Sequence, residues 1–239
     1  MNEDKTFMTD KKRICLIDNY THKIQTDRIE RITNIIQENF KNIEINLIHY
    51  SRLNLSKLKG ISGYILSGSD SNVSEFYSNK ILRNEYKQEL KLIKKKTQKP
   101  ILAICYGHQL TAYAFGGKVQ RMHGSNKGSR IVELTIDRVD EFIPYEKLHV
   151  NVHHQDYVNP EDSILQKNFD IISTKERNGC NTIQYMRHFK RPVFSIQFHP
   201  ETHHSSRYTD TYDEQKINKT QFLGEEIIKN FVSFCIRLY

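Results

Sequence analysis

The sequence predicts an α/β fold: a central, mostly parallel sheet flanked by helices and extended by antiparallel strands. Three observations carry that prediction. Short apolar runs at 14–17, 63–66 and 101–104 alternate with helix-period stretches between residues 13 and 120, the pattern of strands covered by helices on both faces. After residue 130, strand-like segments follow one another with few helices between them, which reads as antiparallel sheet added to the same domain. No internal repeat and no Pro-, Gly- or Ser-rich linker interrupts the 239 residues. One domain over 13–239 is therefore expected, behind a flexible polar lead at 1–12.

Each element has its own signal. Arg13-Ile14-Cys15-Leu16-Ile17-Asp18 is a buried strand with a polar end. Ile24, Ile29, Ile32, Ile35, Ile36 and Phe40 form the stripe of an amphipathic helix over 24–40. Residues 43–50 alternate as a strand. Gly63-Tyr64-Ile65-Leu66 is a short strand that breaks into the small-residue loop Ser67-Gly68-Ser69-Asp70-Ser71-Asn72. Leu82, Tyr86, Leu90 and Ile93 mark a second amphipathic helix. Its outer face carries Lys87, Lys91, Lys94, Lys95, Lys96 and Lys99, with Glu85 and Glu89 interleaved. Pro100 opens a strand at 101–104, and a helix starts near Gly107. Strands are expected at 130–137, 149–154, 169–174, 182–187 and 193–198. Phe222, Ile227, Ile228, Phe231, Phe234, Cys235 and Leu238 stand at helical spacing, so 221–238 is a packed terminal helix. The polar stretch 202–219 reads as a loop, serving as a lid or a docking surface for a partner.

Composition excludes several classes. Lys+Arg is 36 and Asp+Glu is 28, a formal charge of +8. No zinc-finger spacing or RNP-like aromatic run accompanies that excess, so it is read as the solvated face of the lysine helix, and nucleic acid is not an expected partner. The longest apolar runs are of the size of Ile101-Leu102-Ala103-Ile104-Cys105, well short of the ~20 residues of a membrane-spanning helix. The charged start Met1-Asn2-Glu3-Asp4-Lys5 has no apolar stretch behind it, so no signal peptide is read there and a cytoplasmic protein is expected. Cys15, Cys105, Cys180 and Cys235 are widely spaced, as reduced thiols are. His153, His154, His199, His203 and His204 invite a metal. Adjacent histidines on a strand point to opposite faces, however, and no His-x-x-x-His or Cys partner completes a set, so no metal and no other cofactor is expected.

The chemistry gathers at Ala103-Ile104-Cys105-Tyr106-Gly107-His108-Gln109. A buried strand that runs through small-x-Cys-x-Gly into a helix is a nucleophile elbow with Cys in the place of Ser. Small residues at 103 and 107 allow the tight turn. The helix N-terminus favours the thiolate, and the amide of Tyr106 faces the reacting centre as an oxyanion donor. Taken alone, Cys105 could equally be one more buried apolar residue. Further along stands Gln197-Phe198-His199-Pro200-Glu201. A Cys nucleophile needs a base, and the base needs an orienting carboxylate; His199 and Glu201, on one side of a strand end, supply both.

Ala-Ile-Cys-Tyr-Gly-His-Gln followed by Gln-Phe-His-Pro-Glu resembles the class I (triad) glutamine amidotransferases. Gly116-Gly117-Lys118-Val119 and Leu66-Ser67-Gly68 fit the same family, and the likeness runs from Arg13 to Phe234. The resemblance implies a flavodoxin-like domain and a glutaminase reaction. Cys105 would attack the side-chain amide of glutamine, and amides of Gly68 or Ser69 and of Tyr106 would hold the oxyanion. His199, oriented by Glu201, would serve the leaving ammonia and then water, and Gln109 would help to bind glutamine. Two departures stand out: Ala103 for a frequent Gly, and Ser67-Gly68-Ser69-Asp70 for Ser-Gly-Gly-Pro. The second implies an oxyanion loop that sits differently or is set by a partner, with Asp70 an exposed acid or a substrate contact.

His153-His154-Gln155-Asp156-Tyr157-Val158 resembles GMP-synthetase-type amidotransferase domains, with His154 and Asp156 at the matching, substrate-binding positions. A similar His-Gln-Asp occurs in γ-glutamyl peptidases of the superfamily. Leu16-Ile17-Asp18-Asn19-Tyr20 and Met122-His123-Gly124 instead resemble the anthranilate and aminodeoxychorismate synthase subunits. The GMP-synthetase side is preferred. The expected function is a glutaminase that feeds ammonia to a separate synthetase subunit. The rivals are a stand-alone γ-glutamyl hydrolase with the same triad, and a non-catalytic regulatory protein that keeps the fold.

Overall fold

A computed structural model describes residues 11–21, 26–95, 98–123, 130–201 and 214–238. In chain order the elements are β1 (Lys12–Asp18), α1 (Thr26–Asn39), β2 (Ile43–His49), β3 (Ile61–Leu66), α2 (Lys80–Glu85), α3 (Lys87–Lys94), β4 (Ile101–Ile104) and α4 (Tyr106–Ala114). Then come β5 (Val119–Arg121), β6 (Arg130–Thr135), β7 (Lys147–Val152), β8 (Asp156–Val158), α5 (Ser163–Asn168), β9 (Phe169–Arg177), β10 (Cys180–His188), β11 (Val193–Ile196) and α6 (Glu214–Arg237).

Seven strands form the main sheet in the order β2-β1-β3-β4-β11-β10-β9. The first five are parallel, and their succession is the flavodoxin-like 2-1-3-4-5. β10 and β9 extend the edge as an antiparallel hairpin. It closes on Asn178 and Gly179, both at positive φ (51° and 72°), as a turn matched to strand twist requires. Two antiparallel ribbons, β5-β8 and β6-β7, complete the sheet structure. Central strands β3 and β4 are buried at every position, which is why they read as unbroken apolar runs. One core layer lies under α1 and α6 and includes Ile32, Ile36, Ile227 and Phe231. The other lies under α3 and α4 and includes Tyr86, Ile93 and Leu110.

The structure corrects three expectations. The lysine helix is two helices, broken at Tyr86, whose backbone (φ −88°, ψ 7°) leaves helical angles. The Tyr86 ring stacks on Tyr50 at 4.2 Å and packs against Tyr106 at 5.2 Å, and this seat in the core holds the break. Glu89 does not belong to the solvated face: it is buried, on the same side as Tyr86 and Ile93. The terminal helix begins at Glu214 rather than 221, so the end of the expected 202–219 loop is helical. The lead over 1–10, Ile24, Lys96, Gly124 and the stretch 202–213, with His203 and His204, lie outside the described residues. No described helix is long and apolar enough to cross a membrane.

Candidate active site

β4 delivers Cys105 to the carboxyl edge of the sheet, between β3 and β11. Its backbone takes φ 49°, ψ −95°, a region that residues with a Cβ avoid. Neighbouring chain fixes that conformation. The Cys105 N–H donates to the Ile196 carbonyl at 2.8 Å, and Gly107 N–H donates to the Ser67 carbonyl at 3.2 Å. A side chain at Gly107 would meet the Leu66 carbonyl oxygen at 2.7 Å, so α4 can start this close to β3 only with glycine there. Cys105 is the N-cap of α4 and 4% exposed. Its sulfur receives a long contact from Gln197 Nε2 at 3.6 Å and lies 3.8 Å from the His153 carbonyl.

His199 follows β11 and bridges to Asn151, its N–H donating to the Asn151 carbonyl at 2.9 Å. Its Nδ1 stands 2.7 Å from Glu201 Oε1, and both side chains are buried. Burial and the Arg28 guanidinium disfavour charge on His199, but the Cys105 sulfur and the Glu201 carboxylate outweigh them and lift its pKa to about 9. Burial acts to raise Glu201, yet His199 and Arg28 hold it below its ordinary range.

The loop after β3 passes directly beside this pair. A side chain on Gly68 would meet Tyr20 Oη at 2.7 Å and His199 Cε1 at 2.9 Å. Asn19, at the end of β1, holds the loop: its N–H donates to Ser67 Oγ at 2.9 Å and its Nδ2 to the Ser67 carbonyl at 3.2 Å. The Ser69 hydroxyl donates to the Asn19 carbonyl at 2.6 Å and accepts from Ser71 N–H at 3.0 Å. These bonds tie the loop to the end of β1. Asp70 is exposed and accepts from the N–H and hydroxyl of Thr21.

A small polar cleft of about 140 Å³ opens over Cys105, lined among others by Ser69, Tyr106, Gln109, His154 and Asp156. The expected substrate-binding side chains are largely engaged within the protein. Gln109 Nε2 donates to the Asp156 carbonyl at 3.0 Å and to Gln197 Oε1 at 3.3 Å. His154 Nδ1 donates to the Asp156 carbonyl at 2.8 Å. Burial, with Arg177 nearby, holds His154 neutral, well below its ordinary pKa. The Asp156 carboxylate accepts from Ser74 N–H at 2.7 Å and from its hydroxyl at 2.9 Å, so it is turned to the Val73–Tyr77 turn. Burial raises its pKa in spite of those bonds.

Sequence reasoning missed Arg28, Asn19, Tyr20 and Gln197 as neighbours of the site. Arg28 was detectable: it stands four residues before Ile32, a charge on the apolar stripe of α1. Among the described residues, no group of three or more His, Cys, Asp or Glu side chains stands where it could hold a metal ion.

Residues 16–218 match the family model of class-I glutamine amidotransferases. The chain belongs to that family. This class I glutamine amidotransferase is thus an enzyme of the glutaminase type, a C–N hydrolase. Its curated relatives include a subunit of the glutamine-hydrolyzing GMP synthase of Pyrococcus abyssi, 34% identical over 177 residues (73% of this chain, 76% of that one). The corresponding GMP synthase subunit from Archaeoglobus fulgidus is 32% identical over 184 residues (76% and 80%). These relatives agree with the GMP-synthetase side of the conflicting subfamily signals. In fold the amidotransferase matches a glutamine amidotransferase from Thermotoga maritima, with a TM-score of 0.70 at 17% identity over 95% of this chain and 98% of that one.

Proposed function

We propose that the chain is the glutaminase component of a two-subunit, GMP-synthase-type enzyme. Residues 13–239 would act as one amidotransferase domain, supplying ammonia to a separate synthetase subunit. The observation that carries this reading is the buried His199–Glu201 pair at 2.7 Å, set beside the strained elbow of Cys105.

The geometry supports the following roles. The Cys105 thiolate attacks the amide carbonyl of the glutamine side chain, and the amides of Tyr106 and of Gly68 or Ser69 stabilise the charge that develops on oxygen. His199 passes a proton to the departing ammonia, leaving a γ-glutamyl thioester on Cys105. It then takes a proton from water, which attacks the thioester and frees glutamate and the thiol. Glu201 fixes the tautomer and stabilises the imidazolium. Gln109, His154 and Asp156 shape the cleft. The cleft of about 140 Å³ over Cys105 has room for a group the size of a γ-glutamyl side chain.

The deciding experiment measures ammonia release from glutamine and glutamate release from a panel of γ-glutamyl peptides, with and without the synthetase subunit of a GMP synthase. Glutamine turnover should rise when that subunit is present, and Cys105→Ala should lower it by about four orders of magnitude. Turnover of γ-glutamyl peptides but not of glutamine would make the protein a stand-alone hydrolase. No turnover of either would leave a non-catalytic protein.

A further inference from the structure

Glu89, within α3, is a buried acid (1% exposed) that the proposed reaction does not use. Its Oε1 accepts from Asn19 Nδ2 at 3.0 Å, and its Oε2 has no hydrogen-bond partner among the described residues. The Asn19 side-chain amide has two protons to give. One goes to Glu89 and the other to the Ser67 carbonyl at 3.2 Å. The Asn19 N–H adds a tie to Ser67 Oγ at 2.9 Å, and that hydroxyl donates to the Gly68 carbonyl at 2.9 Å. With its second lone pair the Ser67 carbonyl accepts from Gly107 N–H at 3.2 Å. That donor belongs to the first turn of α4, where backbone N–H groups have no partner inside the helix.

The Ser67 carbonyl shares its peptide unit with the Gly68 N–H. The peptide is trans, so the two groups point in opposite directions. Bonds that fix the carbonyl on one side therefore fix the N–H on the other. Gly68 itself lies against the site, since a side chain there would meet His199 Cε1 at 2.9 Å. The orientation of the Asn19 amide follows from its two acceptors. Turned over, it would set Oδ1 against both Glu89 Oε1 and the Ser67 carbonyl, oxygen against oxygen. Without an acceptor at position 89, one buried Asn19 proton loses its partner, and the amide is free to turn from Ser67.

We propose that Glu89 is a positioning residue for the oxyanion loop: by fixing the Asn19 amide it holds the Ser67–Gly68 peptide so that the Gly68 N–H faces the reacting carbonyl. The inference rests on the oxyanion role proposed above for this loop. The bond to Asn19 needs only a lone pair on Oε1, which both the carboxylic acid with its proton on Oε2 and the carboxylate provide.

The test uses the full chain. Glu89→Leu removes the acceptor and keeps an apolar side chain in its place, whereas Glu89→Gln keeps the acceptor. A donor that acts on the transition state alone moves kcat and not KM, so Glu89→Leu should lower kcat for glutamine about tenfold or more and leave KM within about twofold. Glu89→Gln should restore kcat to within about twofold of wild type. The effect passes through Asn19, so Glu89→Leu should add nothing in an Asn19→Ala background, where kcat is already lowered. In amide NMR spectra the Gly68 and Gly107 signals should move in Glu89→Leu and stay in place in Glu89→Gln. Wild-type kcat in Glu89→Leu, a loss carried by KM, no rescue by Gln, full additivity with Asn19→Ala, or unmoved amide signals in Glu89→Leu would each overturn the proposal. If Glu89→Leu does not fold, Asn19→Ala carries the test: its kcat should fall by about tenfold or more at unchanged KM, and a wild-type kcat overturns the proposal. Failure of the parent reading looks different: Cys105→Ala would keep glutaminase activity while the Gly68 and Gly107 signals still moved in Glu89→Leu.

Discussion

Gly68 is where a single hydrogen decides the site. A methyl there would press on Tyr20 Oη and His199 Cε1, both under 3.0 Å from the added carbon. The consequence is local, because the loop is tied down by Asn19 and Ser69 rather than by Gly68 itself. Gly68→Ala should therefore lower kcat for glutamine by about a hundredfold or more through displacement of the oxyanion donors and the base. KM and the melting temperature should change little. Steady-state kinetics with a thermal melt checks this, and a variant with wild-type kcat would take Gly68 out of the oxyanion role. The departure at Ser69 and Asp70 implied in the sequence a loop that sits differently or is set by a partner; within the chain the Ser69 hydroxyl ties that loop to the Asn19 carbonyl and the Ser71 N–H.

Among the elements, α1 and α3 hold the instructive misreadings. Their stripes were legible in the spacing of Ile29, Ile32, Ile35 and Ile36, and of Tyr86, Leu90 and Ile93. The strands β1, β3, β4 and β11, the elbow and the His199–Glu201 pair were legible as well, because burial on both faces and tight turns leave strong residue signatures. What spacing could not convey was that a charge on a stripe goes inside when a partner waits there. Arg28 meets His199, and Glu89 accepts from Asn19 Nδ2 at 3.0 Å. Such partners are set by tertiary packing between segments far apart in the chain, and the break at Tyr86 has the same origin. Glu89 makes the point measurable. Burial lifts its pKa from 4.5 to about 8, although the Asn19 bond opposes the shift. The folded protein thus holds this proton more tightly than the unfolded chain. The stability tied to it is whole below pH 4.5 and is lost as the pH rises toward 8. Glu89→Gln keeps the acceptor for Asn19 and escapes that loss. Its advantage over wild type should grow between about pH 5 and pH 8 by on the order of 3 kcal/mol. Denaturant unfolding at both pH values checks it, and a pH-independent difference would mean Glu89 ionises freely in the fold.

At the scale of the whole molecule, the main sheet gathers Cys105, His199 and the loop of Gly68 and Ser69 at one edge, while Gln109 comes from α4 and His154 and Asp156 from the β7–β8 segment. β1 brings Asn19 and Tyr20, β3 brings Gly68 and Ser69, β4 brings Cys105, and β11 brings His199. This is the carboxyl edge, beside the reversal in strand order between β1 and β3. The lysines of α2 and α3 lie away from that edge, on elements that cover one face of the sheet. The same framework forces Cys105 to φ 49°. Holding a side chain in that conformation takes about 1–3 kcal/mol from stability. Cys105→Gly and Cys105→Ala should both be inactive, yet the glycine variant should be the more stable by about 1 kcal/mol, against the usual order of these residues. Equal unfolding free energies would show the elbow to be relaxed. Glycine at position 105 would strengthen the fold while removing the thiol, so at this one position the stability of the fold and the proposed chemistry ask for different residues.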